Sequence, residues 1–162
     1  MILRNQVEWA LHCMGILASL PEGKYLSAHV LSEFHRVPKE YLSKALQELA
    51  KAGLIEGRLG PKGGYRLART PDRITVLDVV EAVQGSEGSF HCTEIRRNLP
   101  GLSPSDTFTP VCVIADVMYR ADHAWREALR QTTIADIGAR VENEVSPNLL
   151  RKTRAWLLKQ ID

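Results

Sequence analysis

The sequence predicts a mainly α-helical chain with one small β-hairpin, an α+β architecture. Three observations carry this reading. Apolar residues recur at helical spacing over most of the chain. One glycine-rich turn, Gly60-Pro61-Lys62-Gly63-Gly64, separates two short strand-like runs. The stretch 85–109 has neither helical nor strand period and is rich in Ser, Gly, Pro and Thr.

Residues 3–20 form an amphipathic helix with Val7, Leu11, Met14 and Leu17 on one stripe, ended by Pro21-Glu22-Gly23. Ser27 starts a short second helix, AHVLSEF, and His35-Arg36-Val37 links it to a third. That helix begins at Pro38 as its first residue and runs to about Gly53, with Leu42, Ala45, Leu46, Leu49 and Ala50 as its buried stripe. Two helices joined by a three-residue turn make a helix-turn-helix. Leu54 to Leu59 and Tyr65 to Ala68 follow as strands, and a basic hairpin after a helix-turn-helix is a wing. Thr75 with Asp78 reads as a capping box for a helix over 76–84, which Gly85 stops. A long helix returns over 111–134 with two apolar stripes. Ile114, Val117, Ala121, Ala124 and Ala128 form one; Met118, Trp125 and Leu129 form the other. A helix apolar on two faces buries one on its own domain and the other on something else, most simply a second copy of the chain. Ser146-Pro147 caps a last helix to about Ile161, with Leu150, Leu157 and Ile161 inward. The expected organisation is a winged helix-turn-helix domain over 1–84, a loop over 85–110, and a dimerisation helix with a C-terminal helix over 111–162.

The chain of 162 residues is 44% hydrophobic and 25% charged, with a net charge of +2. These are the proportions of an ordinary globular protein. No apolar run is long enough for a membrane span, and Asn5, Gln6, Glu8 and His12 interrupt the apolar start where a signal peptide would need an h-region. A cytoplasmic protein is the simplest reading. The total charge conceals an asymmetry: residues 1–73 carry 11 Lys or Arg against 7 Asp or Glu, whereas 74–162 carry 10 against 12. A basic half points to a polyanion. On the third helix Lys39, Tyr41, Ser43, Lys44 and Gln47 can reach phosphates and base edges; on the wing Arg58, Lys62 and Arg66 supply phosphate contacts, and Gly63 and Gly64 let the backbone approach a groove. Double-stranded DNA is the expected partner. No nucleophile–base pair and no phosphate loop is present, which argues against an enzyme and a small-molecule substrate.

Three cysteines are too few and too far apart for a disulfide scaffold. Cys13 sits beside Trp9 and Ile16 as a packed thiol. Cys92 and Cys112 flank the long loop, 20 positions apart, and spacing alone leaves them ordinary thiols. Glu8 and His12, four apart on the first helix, share a face; they form either a workable pair of ligands or an exposed ion pair. His91 competes as a ligand, and His29, His35 and His123 receive no role.

YLSKALQELAKAGLIEGRLGPKGGYRLAR, followed by ITVLDVVEAVQG, resembles the winged-helix stretch of the IscR, NsrR and RsrR family of bacterial regulators. The resemblance implies a homodimer paired through the long helix and an iron–sulfur cluster in the loop before it, whose state controls DNA binding. Many members carry three close cysteines in that loop, whereas this chain has Cys92 and Cys112 with none between. VEWALHC, CTEIR and TTIADI are most similar to the RsrR branch, which implies a [2Fe–2S] cluster held by Glu8, His12, Cys92 and Cys112, with ligands shared between subunits. In this reading Trp9, next to Glu8, transmits the change, and the chain is a redox-sensing repressor. Leu59 departs from the pattern, standing where IscR-type members have Arg before Gly-Pro. Two other readings are a metal-free sensor in which Cys92 and Cys112 form a disulfide, and a winged-helix module whose wing contacts protein.

Overall fold

The computed structural model describes residues 3–108 and 111–161; the predicted end of the loop at 110 lies outside them. Among the described residues there are seven α-helices and one two-stranded sheet, in the order α1 (Asn5–Ala18), α2 (Ala28–His35), α3 (Lys39–Lys51), β1 (Ile55–Arg58), β2 (Gly64–Leu67), α4 (Val76–Gln84), α5 (Val113–Arg130), α6 (Ile134–Glu144) and α7 (Pro147–Ile161). No described helix is long and apolar enough to cross a membrane.

The core forms around α1, which packs against α3, α4 and α6. Val7, Ala10, Cys13, Met14 and Leu17 of α1 meet Leu42, Ala45, Leu46 and Leu49 of α3 and the valines of α4, all buried. Truncating any of the α3 leucines to alanine costs about 2–5 kcal/mol, the transfer term plus a cavity. Cys13 is fully enclosed, and burial pushes its thiol up to about 12, which leaves it an inert core residue.

Ser27 caps α2 by accepting a bond from the Val30 amide, and the helix closes on Arg36 in the left-handed region at φ 53°. The amides of Arg36 and Val37 return to the carbonyls of Glu33 and Ser32, a left-handed cap that reverses the chain sharply before α3. Pro38 sits one position earlier than expected, at the cap of α3 rather than inside it. The hairpin pairs Ile55 with Leu67 through Arg58 with Gly64, and Leu26 extends it by exchanging both backbone bonds with Tyr65.

The Thr75–Asp78 capping box is present as expected, and α4 ends at Gly85. The expected helix over 111–134 ends earlier than predicted, and a further helix over Ile134–Glu144, which the sequence reading did not assign, follows it. α5 stops at Arg130, and Thr133 with Asp136 forms a second capping box that starts α6. The break has a tertiary cause: the Ile134 amide donates to the Ile74 carbonyl, the Val76 amide donates to the Thr132 carbonyl, and Ile134 is fully buried. Bridging Thr133 to Thr75 extends the backbone there and interrupts the helix.

On α5, Trp125 and Leu129 turn to the core, whereas Met118, of the same stripe, is 37% exposed. Ile114 and Val117 are 69% and 50% exposed, and Ala121, Ala124 and Ala128 are exposed as well, so the other stripe lies uncovered on this chain.

Candidate DNA interface and metal-ligand groups

Lys39, Tyr41, Lys44 and Gln47 are exposed and Ser43 is half-buried on α3, the second helix of the turn. The Lys44 ammonium lies 5.8 Å from the Tyr41 ring centroid, so these two side chains occupy one patch. The wing stands beside them. A Cβ on Gly63 would meet the Arg58 carbonyl oxygen at 2.2 Å, and one on Gly64, already at φ 149°, would meet the Leu26 backbone at 2.3 Å. Both positions therefore exclude a side chain.

The predicted wing cations differ in exposure, and Arg58, like Arg66, lies over the Tyr25 ring, at 5.9 Å. Arg66 is braced across the hairpin: its Nε lies 2.5 Å from Glu56, and its guanidinium lies 5.0 Å from the Tyr25 ring. Tyr25 donates its hydroxyl to the same carboxylate at 3.1 Å. The Arg66 bond, then the Tyr25 bond, hold the Glu56 carboxyl below its ordinary range. Arg58 and Lys62 are exposed nearer the tip. Leu59, at the tip itself, is 98% exposed. A cation there would add one phosphate contact, so Leu59→Arg is expected to tighten DNA binding and to steepen the slope of log affinity against log salt by about 0.9. An unchanged slope in a salt titration would mean that the tip does not reach the backbone.

The loop after α4 is irregular but anchored. Arg126 of α5, its side chain 17% exposed, bonds Asp122 at 2.9 Å, also pairs with Glu81, and donates to the carbonyls of Ser86 and Glu87. Asp122 in turn accepts from the Ser89 amide and hydroxyl. Phe90 then packs edge-on against Tyr119. Beyond it the half-buried Cys92 thiol donates to Glu94 at 3.6 Å, and Arg96 clamps Glu94 at 2.9 and 2.8 Å while lying over Phe108. Cys112 caps α5, where the amides of Ala115 and Ile114 lower its thiol pKa. The nearby Arg96 guanidinium acts in the same direction. Cys92 and Cys112 are both free and both border the Glu94–Arg96 pair. His91 is exposed on the same loop.

Glu8 and His12 lie elsewhere. Both are exposed, and both line a groove of about 440 Å³ among α1, α2, α6 and α7, with Phe34, His35, Ile137 and Leu150 in its walls. Trp9, the next residue, is half-buried and packs on the core. The predicted ligands thus fall into two pairs, and among the described residues no three His, Cys, Asp or Glu side chains gather to hold a metal. Sequence reasoning left His35 without a role; its ring lies 5.5 Å from that of His12. No local signal marks this contact, since the two residues are on different helices.

A helix-turn-helix with its exposed polar face beside a basic hairpin defines a winged-helix DNA-binding regulator. Residues 3–140 match the Rrf2 model, described as an iron-dependent transcriptional regulator, and the chain belongs to that family. The regulator NsrR of Geobacillus kaustophilus is 29% identical over 154 residues, spanning 95% of this chain and 99% of that protein. NsrR of Shouchella clausii is 29% identical over 137 residues, 85% and 88% of the two chains. Among solved structures, IscR of T. potens superposes with a TM-score of 0.67 at 23% identity, covering 93% of this chain and 96% of that one. CymR, the global cysteine regulator of B. subtilis, does so with 0.66 at 22% identity, covering 86% and 98%. These structures share the mainly α fold with its wing. The relatives are transcriptional regulators, and this chain is not an enzyme.

Proposed function

We propose that the chain is a redox-responsive regulator that binds a double-stranded DNA operator as a homodimer, most simply as a repressor. Its [2Fe–2S] cluster would be held by Glu8 and His12 of one subunit and by Cys92 and Cys112 of the other. The observation that carries this reading is the division of the donors into two separate pairs, beside an α5 stripe left uncovered on one chain. The donor set suits the group: two thiols, one of them favoured as thiolate at a helix N-terminus, with one imidazole and one carboxylate, make four ligands for two irons. When bound, the cluster supplies a one-electron acceptor whose charge changes on reduction.

The chain's own residues give such a change a route. Glu8 and His12 sit on α1, the helix at the centre of the core, which packs directly on the recognition helix α3. Trp9, wedged beside Glu8, repacks when α1 shifts, and α3 then moves relative to its dimer mate, altering the match to two half-sites. A gel-shift titration with oxidised and reduced holo-protein tests this. At least a tenfold difference in operator affinity is expected, and equal affinities would sink the redox switch while leaving DNA binding intact.

A second reading has its own observation. Both free thiols border the same Glu94–Arg96 pair, so a Cys92–Cys112 disulfide could serve as the sensor without metal. It predicts a colourless anaerobic protein that is indifferent to Glu8→Ala and His12→Ala.

A further inference from the structure

We propose that Leu59 is an apolar wedge: on binding, the tip of the wing enters the minor groove beside the bases read by α3, and the leucine side chain opens a base step there. The proposal needs only DNA binding and does not rest on the cluster. Leu59 is 98% exposed at the extremity of the hairpin. A scattered leucine on a surface is ordinary; this one stands at the end of a braced element. The Gly63 amide donates to the Gly60 carbonyl at 2.9 Å, which closes the turn over Pro61 and Lys62. Below the turn the strands pair from Arg58 with Gly64 to Ile55 with Leu67, Leu26 is bonded to Tyr65, and Glu56 ties Arg66 to Tyr25. The tip is therefore ordered before DNA arrives, and little conformational freedom is lost in presenting Leu59.

Charge and size select the partner. Arg58 precedes Leu59 and Lys62 follows it within the turn, both exposed, so the apolar tip has a cation on either side. This complements a narrow groove with phosphates along both rims and base edges at its floor. The exposed polar face of α3 suits the major groove, about 12 Å wide; the next groove along the duplex is the minor one, about 6 Å wide, which admits the tip of a turn rather than a helix. Leucine is among the side chains that insert between base steps from the minor groove, unstack them and bend the duplex by about 20–90°. Its methyl groups read no hydrogen-bond pattern. Selectivity then comes from deformability, which favours the flexible pyrimidine–purine steps TA and CA/TG.

The test takes purified full-length protein and a library of random-sequence duplexes, from which the wild type selects its binding sites. The selected duplexes are expected to carry a TA or CA/TG step at a fixed distance from the bases read by α3, and to bend on binding, measured by energy transfer between dyes at their ends. The Leu59 side chain lies in solvent, so Leu59→Ala leaves the fold intact. That variant is expected to bind about tenfold more weakly, to lose the preference at that step alone and to bend the duplex less. The slope of log affinity against log salt should stay unchanged, because no charge is removed. Leu59→Met, with another side chain suited to wedging, is expected to retain the bend and the preference. Wild-type affinity, bend and step preference in Leu59→Ala would overturn the proposal while binding through α3 stands, and would leave the tip to a protein contact. A wild type that enriches no flexible step beside the bases read by α3 overturns it as well.

Discussion

Cys112→Ser is expected to yield a folded, colourless protein whose iron content falls at least tenfold. Cys112 occupies the N-cap of α5, and its carbonyl accepts the Asp116 amide at 2.8 Å. Serine is among the best residues at such a position, so α5 persists in the variant. What is lost is the sulfur ligand. The amides of Ala115 and Ile114, then the Arg96 charge, favour the ionised sulfur, and a hydroxyl in their place remains protonated near neutral pH. Visible absorption and iron analysis of anaerobically purified protein report the loss, and circular dichroism reports the retained fold. Full iron loading in the serine variant would show that another side chain completes the site. Glu8→Gln is expected to have a smaller effect, because a carboxylate is a weaker ligand than a thiolate.

Arg126→Met should release the loop that carries Cys92. The methionine fills a similar volume but leaves Glu81 and Asp122 without their cation and the carbonyls of Ser86 and Glu87 without a donor. Breaking a fully buried pair costs about 3–5 kcal/mol; with Glu81 32% exposed, about 2–3 kcal/mol is expected here. Proteolysis within 86–108 should accelerate, with DNA binding by the apoprotein little changed, and wild-type resistance to protease would refute the anchoring role. Acid acts on the same anchor from the carboxylate side. The Ser89 hydroxyl and amide, and then Arg126, hold the Asp122 carboxyl below its ordinary 3.8. Its contribution to stability is present in full above that value and is lost as pH falls through the lower folded one. The loop is therefore expected to hold through mildly acidic conditions.

The capping boxes show where local reading succeeds and where it stops. Thr75 with Asp78 and Thr133 with Asp136 are the same signal, and both form. The first was legible because a turn and a proline precede it. The second lay inside an apolar period that continues through Leu129 to Ile134, and only the bonds between 132–134 and 74–76 separate α5 from α6. The long loop was legible as irregular, but its anchoring was not, since Arg126 and the carbonyls it binds are about 40 positions apart.

The sequence by itself determined the wing, the family, the residue types available as donors and the helices other than α6. Each of these depends on neighbours within a few positions or on a motif read in order. The tertiary structure alone decided which donors share a surface, that Arg66 is braced by Glu56 and Tyr25, that Met118 is exposed, and that His35 stands beside His12. Those contacts join residues from separate elements, and their energies depend on how the core packs around α1, which no local pattern encodes.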